Sequence, residues 1–180
     1  MEKTLSTPAA GLSKVKLLVM TGLLAALGCM ATMVLRVPSP TGGYMNLGDT
    51  VVLLGAYLLG PVYGAVAGGM GPMMADILSG YAVYAPATLV IKAIMGLVAG
   101  WLYRVAKDKT GGVLLTGIVG EIPMVVGYWL FDALLLGSFA GSAAGLPSNF
   151  VQAAFGVAVS TILVLALRKS SYVRREFPNL

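Results

Sequence analysis

Apolar residues run through this chain in blocks too long for strands and too continuous to be one face of a soluble helix. Six blocks separate cleanly: Leu17–Leu35, Thr50–Leu59, Val62–Ser79, Ala85–Val105, Val113–Leu136 and Pro147–Leu167. Five of them approach the roughly 20 residues a helix needs to cross a bilayer. The other, Thr50–Leu59, is short and ends at the Gly60-Pro61 break. The alternation expected of a membrane barrel is absent, and backbone groups in hydrocarbon must be hydrogen-bonded within the protein. The pattern therefore predicts an all-α membrane protein with six transmembrane helices.

Composition strengthens this reading. Of 180 residues, 58% are hydrophobic and 11% charged, against about 25% charged in a soluble domain. Mean hydropathy is +0.88. The length suits a single integral membrane domain over 1–180, with a flexible tail at 1–13 and a basic tail at 168–180. If both termini are cytoplasmic, ten of the twelve basic residues share one side: Lys3, Lys14 and Lys16; Arg104, Lys107 and Lys109; Arg168, Lys169, Arg174 and Arg175. Arg36 lies outside and Lys92 within the fourth helix. A five-helix chain would split the two terminal clusters, against the positive-inside rule. The net charge of +5 is thus a topology signal, with no basic stripe and interleaved aromatics to suggest nucleic acid. Lys14 and Lys16 precede an apolar run too long for a signal-peptide core, and further spans follow. Cys29, the only cysteine, reads as a small packing residue and excludes a disulfide framework within the chain.

Polar residues inside the blocks come next. Lys92 stands in the middle of APATLVIKAIMGLVAGW (Ala85–Trp101) and shares a helix face with Gly96 and Gly100. Burying a lysine at the centre of a span costs about 2.5–3.5 kcal/mol on insertion scales, so its ammonium is expected to face other helices. The alternating helix directions put Asp76, Tyr128, Asp132, Asn149 and Gln152 at the same outer depth as Lys92. Glu121 is deeper, beside Pro123. A purely structural account pairs Lys92 with Asp76 or Asp132 as a lock between helices. Yet polar groups from four helices at one depth exceed what a lock requires, and fit a small-ligand pocket. The long Pro- and Gly-rich outer connection from Arg36 to Gly48 adds Tyr44 and Asn46; with Tyr81 and Tyr84 it offers aromatic walls, a lid or an interfacial belt. Asp49 is expected to cap the second helix. Small residues four apart (Gly60, Gly64 and Gly68; Gly96 and Gly100) suit close helix packing, and Gly68–Pro72 is expected to bend or loosen the third helix.

The runs YMNLGDTVVLLG (Tyr44–Gly55), LGPVYGAVAGG (Leu59–Gly69), Ala75-Asp76 and YAPATLVIKAIMGLVAG (Tyr84–Gly100) resemble the S components of energy-coupling factor (ECF) vitamin transporters, the riboflavin-type group in particular. The resemblance is specific over Tyr44–Trp101 and general elsewhere. It implies a multi-pass protein of a prokaryotic plasma membrane that captures a vitamin or precursor at its outer side. Such a subunit works with a transmembrane coupling subunit and two cytoplasmic ATPases, so ATP is used by the partners. It implies no catalytic residue, metal or cofactor in this chain. By the same resemblance, Gly22, Ala25, Ala26 and Cys29 on the first helix are the candidate contacts for the coupling subunit. Independently, the chain has no GxxxxGK[ST] phosphate loop.

The candidate substrate-binding set is therefore Lys92, Asp132, Asn149, Gln152, Tyr128, Asp76, Tyr44, Tyr84 and Asn46. Its chemistry suits a small polar heteroaromatic, pyridoxine- or hydroxymethylpyrimidine-like, with riboflavin also open. Two other classes stay in view. A self-contained ion-coupled carrier would use Glu121 and Asp132, but no internal repeat supports it. A membrane enzyme would use Lys92 with a carboxylate, but the chain has no histidine and no metal-ligand spacing.

Overall fold

The computed structural model describes residues 13–180; Lys3 and the rest of the expected 1–13 tail, Ser13 apart, lie outside the described residues. The chain folds as α1 (Lys14–Val34), a two-residue antiparallel pair β1 (Val37–Pro38) and β2 (Tyr44–Met45), α2 (Gly48–Leu59), α3 (Pro61–Leu78), α4 (Ala85–Ala106), α5 (Gly112–Leu136), α6 (Phe139–Ser142), a 3₁₀ turn (Ala143–Gly145), α7 (Leu146–Leu167) and α8 (Ser171–Glu176). All six apolar blocks are helices. Their ends follow local chemistry. Ser13 caps α1 through the Lys16 amide at 3.2 Å. Gly60, at φ +82°, turns the chain from α2 into α3, where Pro61 occupies the first turn.

Among the described residues, four segments are long and apolar enough to cross a membrane: Lys14–Val34, Ala85–Ala106, Gly112–Leu136 and Phe139–Leu167. The third block is diluted by glycine, proline and Asp76. At 12 residues, α2 is about 18 Å long, well short of a hydrocarbon core of about 30 Å. Eleven of those residues are buried, because α2 packs among α1, α3, α4 and α7. It is the axis of the bundle. Val52, Leu53, Ala56 and Tyr57 of α2 meet Met95, Ala99 and Tyr103 of α4 and Met124 of α5 in the main core. The rings of Tyr57 and Tyr103 stack 4.4 Å apart. Large apolar side chains such as Leu18, Val62, Trp101, Ile118, Leu134 and Ile162 point outward, as in a protein that meets lipid.

Glycine lets these helices touch. A Cβ at Gly64 would lie 2.5 Å from Ala56 Cα, one at Gly100 2.7 Å from Pro61 Cα, and one at Gly71 2.4 Å from the Ala25 carbonyl oxygen. The Gly68–Pro72 stretch, expected to bend or loosen its helix, lies within a continuous α3. Its glycines serve contact with α1 and α4.

The helices alternate in direction, so that the start of α1, the end of α2, the end of α4 and the end of α7 gather at one pole. There Lys16 pairs with Glu176, Arg168 donates to the Lys107 carbonyl at 3.1 Å and to the Tyr103 hydroxyl at 2.9 Å, and Lys107 donates to the Asn179 carbonyl at 2.8 Å. The basic tail 168–180 is not a free extension. It forms α8 and returns over this pole, where Asn179 donates to the Leu58 carbonyl at 3.0 Å and Phe177 packs beside Leu58 and Leu59.

Candidate functional site

At the opposite pole a buried polar chain links three helices. Lys92, 1% exposed, directs its ammonium to Asp49 Oδ1. Gln152 Nε2 donates to Asp49 Oδ2 at 2.7 Å, while Gln152 Oε1 accepts from the Asn46 amide at 2.7 Å. Asn46 Oδ1 in turn accepts from the Gly48 amide at 2.8 Å. The Tyr128 ring centroid is 5.4 Å from the ammonium, within cation–π range. Lys92 thus pairs with neither Asp76 nor Asp132. Its counterion is Asp49, which is no helix cap: Leu47 holds that position, without a side-chain bond. Asp49 falls in the first turn of α2, and because α2 is enclosed on every side its carboxylate meets the ammonium inside the bundle. A buried ion needs such a partner.

Above this layer lies a small cavity of about 30 Å³, room for roughly one water. Asp76 of α3, Thr88 of α4, and Tyr128 and Asp132 of α5 form its walls, with Tyr84 just before α4. Asn149 and Gln152 of α7 contribute the remaining side. The connection between α1 and α2 covers it with Ser39, Thr41, Gly43, Tyr44 and Asn46. Eight of the nine candidate ligand residues named above are therefore brought to one cavity. The ninth, Lys92, is sealed beneath it and does not line it.

The cover is held by its own hydrogen bonds. Tyr44 donates its hydroxyl to Asp76 Oδ1 at 2.5 Å, and Tyr84 donates to Asp132 Oδ1 at 3.0 Å. The hydroxyls of Ser39 and Ser148 lie 3.1 Å apart, and those of Thr88 and Tyr128 2.9 Å apart. Tyr81 packs against Tyr44 with centroids 4.4 Å apart. Burial first, and then the Asp76 carboxylate, push the Tyr44 hydroxyl well above the usual phenol range. It therefore remains a proton donor. Among the described residues, Asp76 Oδ2 is buried with no hydrogen-bond partner.

Asp49, Thr88, Ser39 and Thr41 were not among the candidates. Thr88 was legible, since it precedes Lys92 by one helical turn on the same face; Asp49 reads locally as a helix cap, and Ser39 and Thr41 gave no local signal. Glu121, buried with neither carboxyl oxygen partnered among the described residues, sits against α7 close below Asp49. A Cβ at Gly156 would come within 2.8 Å of Glu121 Oε1 and 2.9 Å of Asp49 Cβ. On α1, Gly22 and Ala26 are exposed, Ala25 and Cys29 half-buried. No group of three or more metal-ligating side chains occurs among the described residues.

Residues 12–169 match the family model described as "ECF-type riboflavin transporter, S component". An uncharacterised protein from the gap 3′ region of Pyrococcus woesei is 38% identical over 141 residues, 78% of this chain and 93% of its own length. The thiamine precursor transporter HmpT of Lactococcus lactis subsp. cremoris is 28% identical over 147 residues, 82% of each chain. Among solved structures, the S component of a bacterial ECF transporter superposes with a TM-score of 0.61 at 20% identity, covering 87% of this chain and 96% of that one. That last likeness concerns the fold.

Proposed function

The chain belongs to the ECF-type riboflavin transporter S component family, a family of transporter subunits and not of enzymes, and on that premise we propose that it captures a vitamin precursor at the cavity beneath the α1–α2 connection. The observation that carries this reading is the convergence of polar side chains from α3, α4, α5 and α7 under one cover, at the pole opposite the basic cluster. Lys16, Arg104, Lys107 and Arg168 belong in the cytoplasm by the positive-inside rule, so the cavity faces outward and both ends of the chain lie inside. The chain then crosses the plasma membrane six times, with α2 shielded by its neighbours and followed at once by α3. The cargo is a small polar heteroaromatic of the thiamine-precursor kind, the class named for the Lactococcus relative. Release inward requires a coupling subunit, for which the exposed face of α1 around Gly22 and Ala26 is the contact, and ATPases supplied by other chains.

The test is to purify the whole chain in detergent or nanodiscs, identify retained small molecules by mass spectrometry, and measure binding by titration calorimetry. Tight one-to-one binding without turnover is expected, with uptake into cells only when a coupling module and ATP are present. Uptake by the chain alone in sealed vesicles, driven by an ion gradient, would identify a self-contained carrier instead.

A further inference from the structure

The charge state of the cavity limits what it accepts. Lys92, a candidate ligand contact by sequence, is neutralised by Asp49 and lies out of reach below Tyr128. Among the described residues, no basic side chain lines the cavity. Two carboxylates do, on different helices: Asp76 from α3 and Asp132 from α5. Each has one oxygen occupied by a tyrosine hydroxyl, Tyr44 on Asp76 and Tyr84 on Asp132. Asp76 is 4% exposed, and its second oxygen has no partner among the described residues. A buried carboxylate oxygen without a donor is costly. With about 30 Å³ available, no vitamin-sized molecule enters until the cover lifts. Lifting it withdraws Tyr44, which rides on β2, and frees a further acceptor on Asp76.

We propose that Asp76, with Asp132 beside it in the same cavity, selects a ligand that presents N–H donors or positive charge, such as an amino-substituted pyrimidine, and rejects the phosphorylated form of the same compound. The inference rests on the capture reading and specifies its chemistry. Tyr44 and Tyr84 hold the donor positions under the closed cover, and the ligand's amino group takes over the place of Tyr44 at Asp76. A phosphate ester would meet two carboxylates with no counter-charge, in a region where charges are poorly screened.

Four probes test this on the purified full-length chain: 4-amino-5-hydroxymethyl-2-methylpyrimidine, its 4-oxo analogue, its phosphate ester, and riboflavin. The amino compound is expected to bind, with the 4-oxo analogue roughly 10- to 100-fold weaker, the range set by losing a hydrogen bond to a charged acceptor. The phosphate ester should be weaker still. In Asp76→Asn the preference for amino over oxo should fall to within about threefold, because an amide offers both a donor and an acceptor. One-to-one binding of the 4-oxo analogue by Asp76→Asn, no weaker than by the unsubstituted chain, shows that the variant is folded. Equal binding of the amino and oxo compounds, or undiminished binding of the phosphate ester, overturns the assignment. One-to-one binding of riboflavin with no preference for the amine also overturns it, while leaving the capture reading intact.

Discussion

Lys92 and Asp49, 43 residues apart in sequence, form an ion pair that is 1% exposed on both sides, and Gln152 closes it from a third helix. The pair is the floor on which the cavity rests. Removing one member of a buried pair costs about 3–5 kcal/mol, because the other is left uncompensated, whereas replacing both with apolar groups of similar size is often neutral.

Lys92→Ala or Asp49→Ala alone should accordingly lower the thermal unfolding temperature in detergent markedly. The double variant Lys92→Met/Asp49→Leu should recover most of the loss. If the double variant is as unstable as the singles, the pair is not what these two residues contribute.

The cover must move for a ligand to enter a cavity this small. Ser39, in the cover, and Ser148, at the start of α7, bring their hydroxyls to 3.1 Å, near enough for cysteines there to bond. In a Cys29→Ala background, Ser39→Cys/Ser148→Cys should lose ligand binding on oxidation and regain it on reduction. Each single cysteine variant should bind under both conditions. Undiminished binding with the disulfide shown formed by mass spectrometry would mean that the ligand enters elsewhere.

Much of the fold was legible because its boundaries are chemical. Gly60-Pro61 divides α2 from α3, Gly137 ends α5 with φ +62°, and Pro86 and Pro147 mark the first turns of α4 and α7. The depth arithmetic that grouped Asp76, Tyr128, Asp132, Asn149 and Gln152 worked because helix rise and alternating direction are nearly invariant. The partner of Lys92 was not legible for the converse reason. Asp49 reads locally as a capping residue, and only the enclosure of α2 by four other helices turns its carboxylate inward. The same holds for residues 168–180, whose charges predict a tail but whose Phe177, Asn179 and Leu180 find partners on distant helices.

Glycines at two places on α1 and α3 should respond oppositely to alanine. At Gly71 a Cβ would fall 2.4 Å from the Ala25 carbonyl oxygen, so Gly71→Ala must push α1 off α3 and should cost about 1–3 kcal/mol, the usual range for overpacking. At Gly22 a Cβ would meet nothing within 4 Å. Gly22→Ala should be neutral or stabilise by up to about 1 kcal/mol through helix propensity. Thermal unfolding of the two variants side by side checks the contact, and equal effects would refute it.

The exposed face of α1 separates a packing role from a partner role. Gly22 and Ala26 are open to the surroundings, whereas Ala25 is half-buried with its carbonyl against Gly71. Lipid tolerates leucine as readily as glycine on a helix face, so if this face meets only lipid, Gly22→Leu/Ala26→Leu changes neither stability nor transport. If a coupling subunit packs closely there, two leucines hold the helices apart. The double variant should then bind ligand with unchanged affinity and unfold at the same temperature, yet fail to co-purify with the coupling module and lose uptake by tenfold or more, the equivalent of about 1.4 kcal/mol of docking energy. Wild-type uptake would remove the face from the transport cycle. Loss of ligand binding would show instead that α1 props up the cavity through α2 and α3.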